Sequence, residues 1–264
     1  MDSDDFDRGL VADSSLDPPT HGGNGEGPGP QMPGPVLLEI TTHIEERGNA
    51  TTAYSRTRDG HIIQVTYWPA HPPVVSYFSV CCPDLEPADF PREPVVMAME
   101  DDLVLLRVVL GPRSAILEPD RFDYFVYQAG QPPSLRLIEH PGPSRLFGDY
   151  HAGFLRCQSV DGDGDFYIIA ALCYAMVPGH YDLHTFDSRT QVWDTKTALL
   201  PEQQQRGEHS SHVNSKGILF CDVLRDKPML RYVTLPAPLD PDRKLQGCPR
   251  TARDIAVIKG RIKI

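Results

Sequence analysis

The sequence predicts an all-β protein made of short antiparallel strands, and three observations predict it. Breakers are frequent between short apolar runs, since the 264 residues include 26 prolines and 21 glycines. Three apolar runs, 166–173, 181–186 and 192–197, are joined by tight turn signals, the pattern of an antiparallel meander. Two proline-bounded segments that lie 95 positions apart resemble each other. We therefore expect antiparallel meander repeats in an incomplete, β-propeller-like domain over residues 35–264.

The first 34 residues differ in composition from the rest of the chain. They are rich in Gly and Pro and contain seven acidic residues against the single basic Arg8. Too little apolar surface is present to offset the entropy cost of ordering, so we expect a disordered tail. The acidic residues of this tail are Asp2, Asp4, Asp5, Asp7, Asp13, Asp17 and Glu26.

Before the central meander, alternation of apolar and polar residues and β-branched content predict seven strands. Residues 95–110 also suit a helix because Leu, Met and Glu favour one, but Val104, Val108 and Val109 favour a hairpin. The seven predicted strands are 36–40, 61–68, 74–82, 95–99, 103–110, 122–127 and 135–138.

Two further hairpins are predicted after the meander. One joins strands at 217–224 and 229–235, and the other joins 254–258 and 261–264 through Lys259-Gly260. Because the chain stops inside the last predicted strand, we expect a truncated domain.

The internal resemblance relates residues 133–141 to residues 228–236. Pro, Leu, Arg and the closing Pro recur at the same offsets, and Phe125 in the preceding strand corresponds to Phe220. With the meander as the intervening copy, the repeat unit is about 45–50 residues, the size of a propeller blade. Coincidence in a proline-rich β protein is the alternative.

Charge and cysteine usage exclude several classes of partner and compartment. The net charge of −11 disfavours contact with nucleic-acid phosphates, which requires a basic face. No apolar run approaches the roughly 18 residues that span a bilayer. Because the first residues lack a basic stretch followed by an apolar one, we expect no signal peptide. The six cysteines show no paired spacing, so we expect reduced thiols in the cytoplasm or nucleus.

The acidic and histidine motifs do not predict a metal site. Residues 161–165 begin like a calcium loop, but Phe166 and Leu172 stand where that loop needs Gly and a bidentate Glu. His209 and His212 form a conceivable weak pair, but a zinc site needs three or four ligands. We expect a turn and a solvated loop at these two places.

Other chemically suggestive residues have structural interpretations. Cys81 and Cys82 follow a strand, where they are expected to pack as small apolar residues. Trp68 and Trp193 are expected to pack between strands, since no basic strip accompanies them. We assign no catalytic, cofactor-binding or metal-binding residue, and expect a solvated hairpin face at the basic cluster of Arg250, Arg253, Lys259, Arg261 and Lys263.

Several stretches together resemble a plant family, known chiefly from grasses, that carries the domain of unknown function numbered 1618. The stretches include DDLVLLRVVLGPR, FDYFVYQAGQPPSLRLI, YDLHTFDSRTQVWDTKTALL and GILFCDVLRDKPMLRYVTLP. The resemblance implies that the named domain begins at about residue 210. It also implies a fold similar to the kelch-like propellers of F-box proteins, although no F-box precedes residue 36.

These observations favour a non-enzymatic module that binds another protein through its exposed loops. A propeller-type enzyme with acidic residues such as Asp182 at a central channel is the first alternative. A truncated, non-functional family remnant is the second. Fold alone does not decide among them.

Overall fold

The structure is a computed structural model that describes residues 36–142, 145, 147–149, 151–158, 164–201 and 217–234, and the backbone alone of 256–258 and 261–263. The described residues form β-strands and short 3-10 turns without an α-helix, which confirms the all-β prediction. The predicted disordered tail and the predicted loops at 202–215 and 237–249 lie outside the described residues. The strands are β1 (Leu37–Leu38), β2 (His43–Ile44), β3 (Ala53–Arg56), β4 (Ile62–Trp68), β5 (Val75–Cys81), β6 (Val95–Glu100), β7 (Leu103–Val109), β8 (Phe122–Gln128), β9 (Ser134–Ile138), β10 (Ala152–Gln158), β11 (Asp165–Tyr174), β12 (His180–Asp187), β13 (Val192–Leu199), β14 (Gly217–Cys221), β15 (Leu230–Thr234), β16 (Ala256–Ile258) and β17 (Arg261–Lys263).

The strands pair mostly with their neighbours in the chain. The first sheet has the order β1-β5-β4-β3, with β2 also paired to β5, and β1 and β2 both run parallel to β5. The second sheet is β6-β7-β8-β9 and the third is β10-β11-β12-β13. The strands β14 and β15 form an antiparallel hairpin, as do β16 and β17.

The central meander is confirmed as three antiparallel strands, β11, β12 and β13. Its register pairs Phe186 with Ile169 on one side and with Trp193 on the other. The segment 95–110 is a hairpin and not a helix, as the β-branched residues predict. Its two-residue turn holds Asp101 at φ 51°, a left-handed conformation that Asp tolerates better than most residues.

The chain divides into two compact units, 1–156 and 157–264. In the first unit, one face of the first sheet packs on one face of the second sheet. Ile63 and Val80 come from the first sheet, and Leu106 and Phe125 from the second, all with less than 1% of their surface exposed. Burial of this apolar surface at roughly 25 cal/mol per Å² is the main force that holds the two sheets together.

The second sheet is buried on both faces. Tyr124, Val126 and Ile138 point away from the shared core, and each is no more than 3% exposed. Phe147 covers part of this face, with its ring centroid 5.3 Å from that of Tyr124. A sheet covered on both sides needs apolar residues at nearly every position, which explains why every residue of β7 except Arg107 is apolar.

The outer face of the first sheet has a different character, because it carries buried polar residues beside the aromatic pair Trp68 and Tyr77. Gln64 and Thr66 are buried there, and both side chains donate hydrogen bonds to the carbonyl of Arg47, at 2.7 and 3.0 Å. The Arg47 guanidinium lies 4.4 Å from the centroid of the Trp68 ring. The chain's own segment 44–52 therefore covers this face with satisfied polar contacts.

In the second unit, the β14–β15 hairpin packs one face on the third sheet. Tyr181, Ala198 and Leu200 from the sheet side meet Leu230 of the hairpin, and all four are buried. Leu199 and Met229 form an isolated parallel bridge beside this contact. The hairpin is therefore anchored along one of its two faces.

The two segments related by the internal resemblance are both the second strand of an antiparallel hairpin. Leu135 and Leu230 occupy equivalent positions and are 7% and 2% exposed. The register differs by one residue, because Leu135 pairs with Tyr127 whereas Leu230 pairs with Cys221 and not with residue 222. The predicted correspondence holds for the second strands and fails for the first strands.

A buried ion pair lies on the second sheet. Arg107 of β7 contacts the carboxylate of Asp149, and Arg92 donates a hydrogen bond of 2.8 Å to the same carboxylate. The Arg107 guanidinium also lies 4.8 Å from the centroid of the Phe122 ring. Burial lowers the pKa of Arg107, and the charge of Asp149 opposes that effect. Neither charge is solvated, so each depends on the other.

We expect replacement Asp149→Asn to lower the free energy of unfolding by about 3–5 kcal/mol, because it leaves the Arg107 charge buried without a counter-ion. Urea denaturation followed by circular dichroism measures the change. Asp101→Asn is the matched control, since its carboxylate is 69% exposed and lies 3.7 Å from Arg156. That exposed pair contributes about 1 kcal/mol or less. Equal effects of the two replacements would contradict the buried-pair interpretation.

Candidate functional site

The β14–β15 hairpin has an exposed second face, and this is the strongest candidate site among the described residues. Alternation along the strands directs Leu219 and Cys221 toward the third sheet and directs Phe220 the opposite way. Met229, directly before β15, and Val233 of β15 point outward and are 62% and 45% exposed. We call this surface the outer hairpin face.

A groove of about 700 Å³ lies along the outer hairpin face. Its apolar lining comes from Phe220, Met229 and Val233, and Pro201 borders it. Most of the lining surface is apolar, so the groove is suited to apolar side chains more than to a charged metabolite.

The charges of the groove lie at its margin. Arg231 is exposed and lies directly across the hairpin from Phe220. Asp222 accepts a hydrogen bond of 2.9 Å from Nε of Arg225, and its other carboxylate oxygen accepts one of 3.3 Å from the backbone N–H of Leu224. An apolar centre with a charged rim is the usual anatomy of a protein–protein interface.

The exposed apolar surface continues from the hairpin onto the end of the third sheet. Leu199, which bridges to Met229, is 46% exposed. The backbone N–H of Leu200 donates a 3.0 Å hydrogen bond to the carbonyl of Gly179, in the turn where Met176 is fully exposed. Leu199 and Met229 thus place exposed apolar side chains next to each other, and contiguous apolar surface marks interaction sites in many proteins.

A second, smaller groove of about 360 Å³ lies elsewhere on the second unit and has a mixed lining of apolar and charged side chains. Asp187 and Arg189 line it and are already paired, at 2.6 Å between Arg189 Nη2 and a carboxylate oxygen. The Arg189 guanidinium also lies 3.7 Å from the centroid of the Phe166 ring. Lys196 donates a hydrogen bond of 3.1 Å to the carbonyl of Arg225. Both cationic side chains of this groove, Arg189 and Lys196, thus bind groups of the protein itself.

The adjacent free cysteines Cys81 and Cys82 pack as buried apolar residues, as the sequence predicts. Cys81 and Cys82 are 6% and 2% exposed, and Cys82 belongs to the core between the first two sheets. Burial raises the pKa of the Cys81 thiol to about 11 and that of the Cys82 thiol to about 12. Neither thiol is ionised near neutral pH, and a thiolate is the nucleophilic form.

Both tryptophans pack against aromatic neighbours, in agreement with the prediction. Trp193 is 6% exposed and lies 5.4 Å from Phe186 between ring centroids. Trp68 stacks on Tyr77 at 6.0 Å and donates a 2.8 Å hydrogen bond to Ser79. Both indole rings therefore make packing contacts within their own sheets.

Asp182, the residue suggested for a central channel, lies on β12, two positions before His184. His184 is buried, and its Nδ1 is 3.0 Å from the hydroxyl of Thr195 on β13. Asp182 is half-buried, and its charge contributes to the raised pKa of Cys173 after burial itself. Whether Asp182 faces a central channel is not tested by these contacts, so the channel interpretation stays a prediction.

The remaining predicted sites lie outside the described residues. These are residues 161–163 of the acidic turn, His209, His212 and the side chains of the basic C-terminal cluster. Within the described ranges, no three His, Cys, Asp or Glu side chains are grouped to hold a metal ion. Over the same ranges, no helix has the length and apolar character to cross a bilayer.

Comparison with known proteins gives one match. Residues 214–264 match the model of a family described as a protein of unknown function, DUF1618. The match supports the predicted domain family over that segment, and the outer hairpin face lies almost wholly within it. No curated protein and no solved structure matches the chain.

The outer hairpin face is the feature that sequence reasoning missed. The sequence signal for this face is that Met229 and Val233, on one side of the strand, are apolar, as are Leu230 and Tyr232 on the other side. A strand that is apolar on both sides requires a cover on both sides.

The buried thiols predict a loss of stability at alkaline pH. The unfolded Cys82 thiol ionises at its ordinary pKa of 9.0, whereas the folded thiol keeps its proton up to about pH 12. The unfolded state therefore binds fewer protons, and the free energy of unfolding falls between these values by up to about 1.4 kcal/mol per pH unit.

Thermal unfolding between pH 7.5 and 10.5 tests this expectation. Cys82→Ala should flatten the decline of the midpoint temperature above pH 9. Cys157→Ala, at a half-buried position, is the control and should leave most of the decline. An unchanged slope in Cys82→Ala would show that other groups cause the alkaline instability.

Proposed function

We propose that this chain is a non-enzymatic protein-interaction module of plant origin, active in the cytoplasm or nucleus, on a β-propeller-like scaffold. The outer hairpin face is the observation that carries the proposal. It offers an apolar groove of about 700 Å³ with charges only at its margin, and it lies in the segment that matches the DUF1618 family.

The propeller-like scaffold is supported by the order and burial of the strands. The second and third sheets each consist of four strands in chain order, which is the arrangement within a propeller blade. The second sheet is covered on both faces, as a blade between two neighbours must be.

The interaction role is supported by the chemistry of the exposed residues. Met229 and Met176 are flexible and polarizable, and such side chains adapt to the surface of a partner. Phe220 supplies an aromatic group and Arg231 a planar cation, the residue types that dominate binding energy at protein interfaces.

Affinity capture with quantitative mass spectrometry tests the proposal. The unmodified chain and the Met229→Asp variant are used as baits in a plant extract. A partner that binds through the outer hairpin face should be retained at least tenfold less by Met229→Asp, since a carboxylate would have to be buried in the apolar groove.

Leu117→Asp is the matched control, because Leu117 is an exposed leucine of the first unit at 81% exposure. It adds the same charge at a place outside the groove and should retain the partner fully. If Met229→Asp and the control capture the same proteins in the same amounts, the outer hairpin face has no role in binding.

A further inference from the structure

We infer that the segment 139–151 is a pH-sensitive strap, held closed over the second sheet by two neutral histidines and released when they take up protons. We call the described residues of this segment, 139–142, 145, 147–149 and 151, the strap. The inference goes beyond the proposed function and does not depend on it, because the strap belongs to the first unit and the outer hairpin face to the second.

The strap covers the face of the second sheet that points away from the shared core. Phe147 packs on Tyr124, with 5.3 Å between ring centroids, and is 6% exposed. Asp149 contacts Arg107, which is the register partner of Tyr124 and lies on the same face. Release of the strap would therefore expose apolar surface and remove the counter-ion of a buried cation.

His140 holds the beginning of the strap with both of its ring nitrogens. The backbone N–H of Gly142 donates a 2.9 Å hydrogen bond to Nδ1, so this nitrogen is an acceptor and carries no proton. Nε2 lies 2.9 Å from the carbonyl oxygen of Pro119, which accepts a bond only from a protonated nitrogen. The neutral Nε2–H tautomer satisfies both contacts. A second proton, on Nδ1, would set one N–H against another and break the bond from Gly142.

His151 is bonded in a similar way at the end of the strap. Its Nδ1 accepts a 3.2 Å hydrogen bond from the backbone N–H of Gly148, and its own backbone N–H donates a 3.0 Å bond to the carbonyl of Gly148. These two bonds close the turn that contains Asp149. Protonation of Nδ1 removes the first bond and loosens the turn that holds the carboxylate on Arg107.

Two other histidines of the first unit are bonded in the opposite sense, so that a proton strengthens their contacts. Nε2 of His43 lies 3.2 Å from a carboxylate oxygen of Glu39, and Nδ1 of His61 lies 2.6 Å from one of Asp84. Protonation converts each of these contacts into an ion pair. Mild acid therefore acts against the strap while it supports these two contacts, and we expect a local release instead of a general loss of the fold.

The carboxylates on the elements packed against the strap do not lie at either Nδ1, because each of these nitrogens faces a backbone N–H. Proton uptake thus gains no ion pair at Nδ1 in the closed strap. The ionisable groups concerned are Glu118 paired with Arg121, Asp123 paired with Arg58, Asp149 paired with Arg92 and Arg107, and also Asp120, Tyr124, Glu139 and Arg145.

Proton linkage sets the size of the effect. A histidine of the released strap has the ordinary pKa of about 6.5, so at pH 5.5 about ten such rings are protonated for each neutral ring. Because the closed strap has no place for that proton, the equilibrium constant for opening rises by up to about tenfold for each histidine between pH 7.5 and 5.5. The stabilising contribution of the two bonds is thus present above the ordinary pKa and is lost as the pH falls below it. Carboxylates, with ordinary pKa values near 4, stay ionised over this range.

Hydrogen–deuterium exchange of the full chain at pH 7.5 and 5.5, read by mass spectrometry and corrected for the intrinsic exchange rate, tests the inference. Peptides that contain the amides of Gly142 and Gly148 should lose protection at pH 5.5, by about tenfold for each histidine that is released. Peptides from the core strand β4 should keep theirs. Equal protection of the strap at the two pH values would overturn the inference.

Replacement of both histidines by Asn separates titration from structure. The side-chain oxygen of Asn accepts backbone N–H bonds at short range, as Nδ1 does here, but it does not titrate. The double variant His140→Asn with His151→Asn should therefore show the same protection at both pH values. His71→Asn is the matched control, because His71 is an exposed histidine of the first unit, and it should retain the full pH dependence.

The single variants decide the result if the double variant leaves the strap open at both pH values. Each single variant should lose about half of the pH effect on a logarithmic scale, since one titrating ring remains. Circular dichroism checks that every variant is folded. A pH dependence that is unchanged in both single variants would overturn the role of the two histidines.

Discussion

The fold depends on the requirement that the apolar faces of antiparallel sheets be covered. A single meander has two faces and cannot cover them itself, so sheets pack on sheets. In the first unit, this requirement is met between the first and second sheets, where residues such as Val65 and Phe125 are fully buried. In the second unit it is met on one face of the β14–β15 hairpin, whereas the described residues leave the other face exposed. The candidate site is thus an apolar sheet face of the same kind as those that form the core, but it is exposed among the described residues.

The outer face of the first sheet and the outer hairpin face differ in chemical character. The first sheet presents Gln64 and Thr66, and the segment that follows β2 satisfies their hydrogen bonds. The hairpin presents Met229 and Val233, which no hydrogen bond can satisfy. A polar face covered by the chain's own segment resembles the capping surface of a repeat protein, while an exposed apolar face supports the proposed interaction role. This contrast is why the interaction role is assigned to the hairpin.

Much of the fold could be predicted from the sequence because the strands are short and locally specified. Alternation placed β4 and β8 within one or two residues of their observed ends, and β-branched residues decided the hairpin of β6 and β7 against a helix. The candidate site could not be predicted in the same way. Apolar residues on both sides of β15 indicate that both of its faces need a cover. Which chain segments cover Val233 depends on distant contacts, and these leave no pattern in the strand itself.

The one-residue difference in register explains how the exposed groove acquired an aromatic side chain. The sequence aligns Phe220 with Phe125, and Phe125 lies in the core between the first two sheets with no exposed surface. Because the period of a strand is two, a slip of one residue moves a side chain to the opposite face. Leu230 keeps its buried position, but its partner strand is shifted, so Phe220 lines the outer groove instead of the core. A similar pair of segments therefore yields a closed core in one unit and an exposed apolar groove in the other.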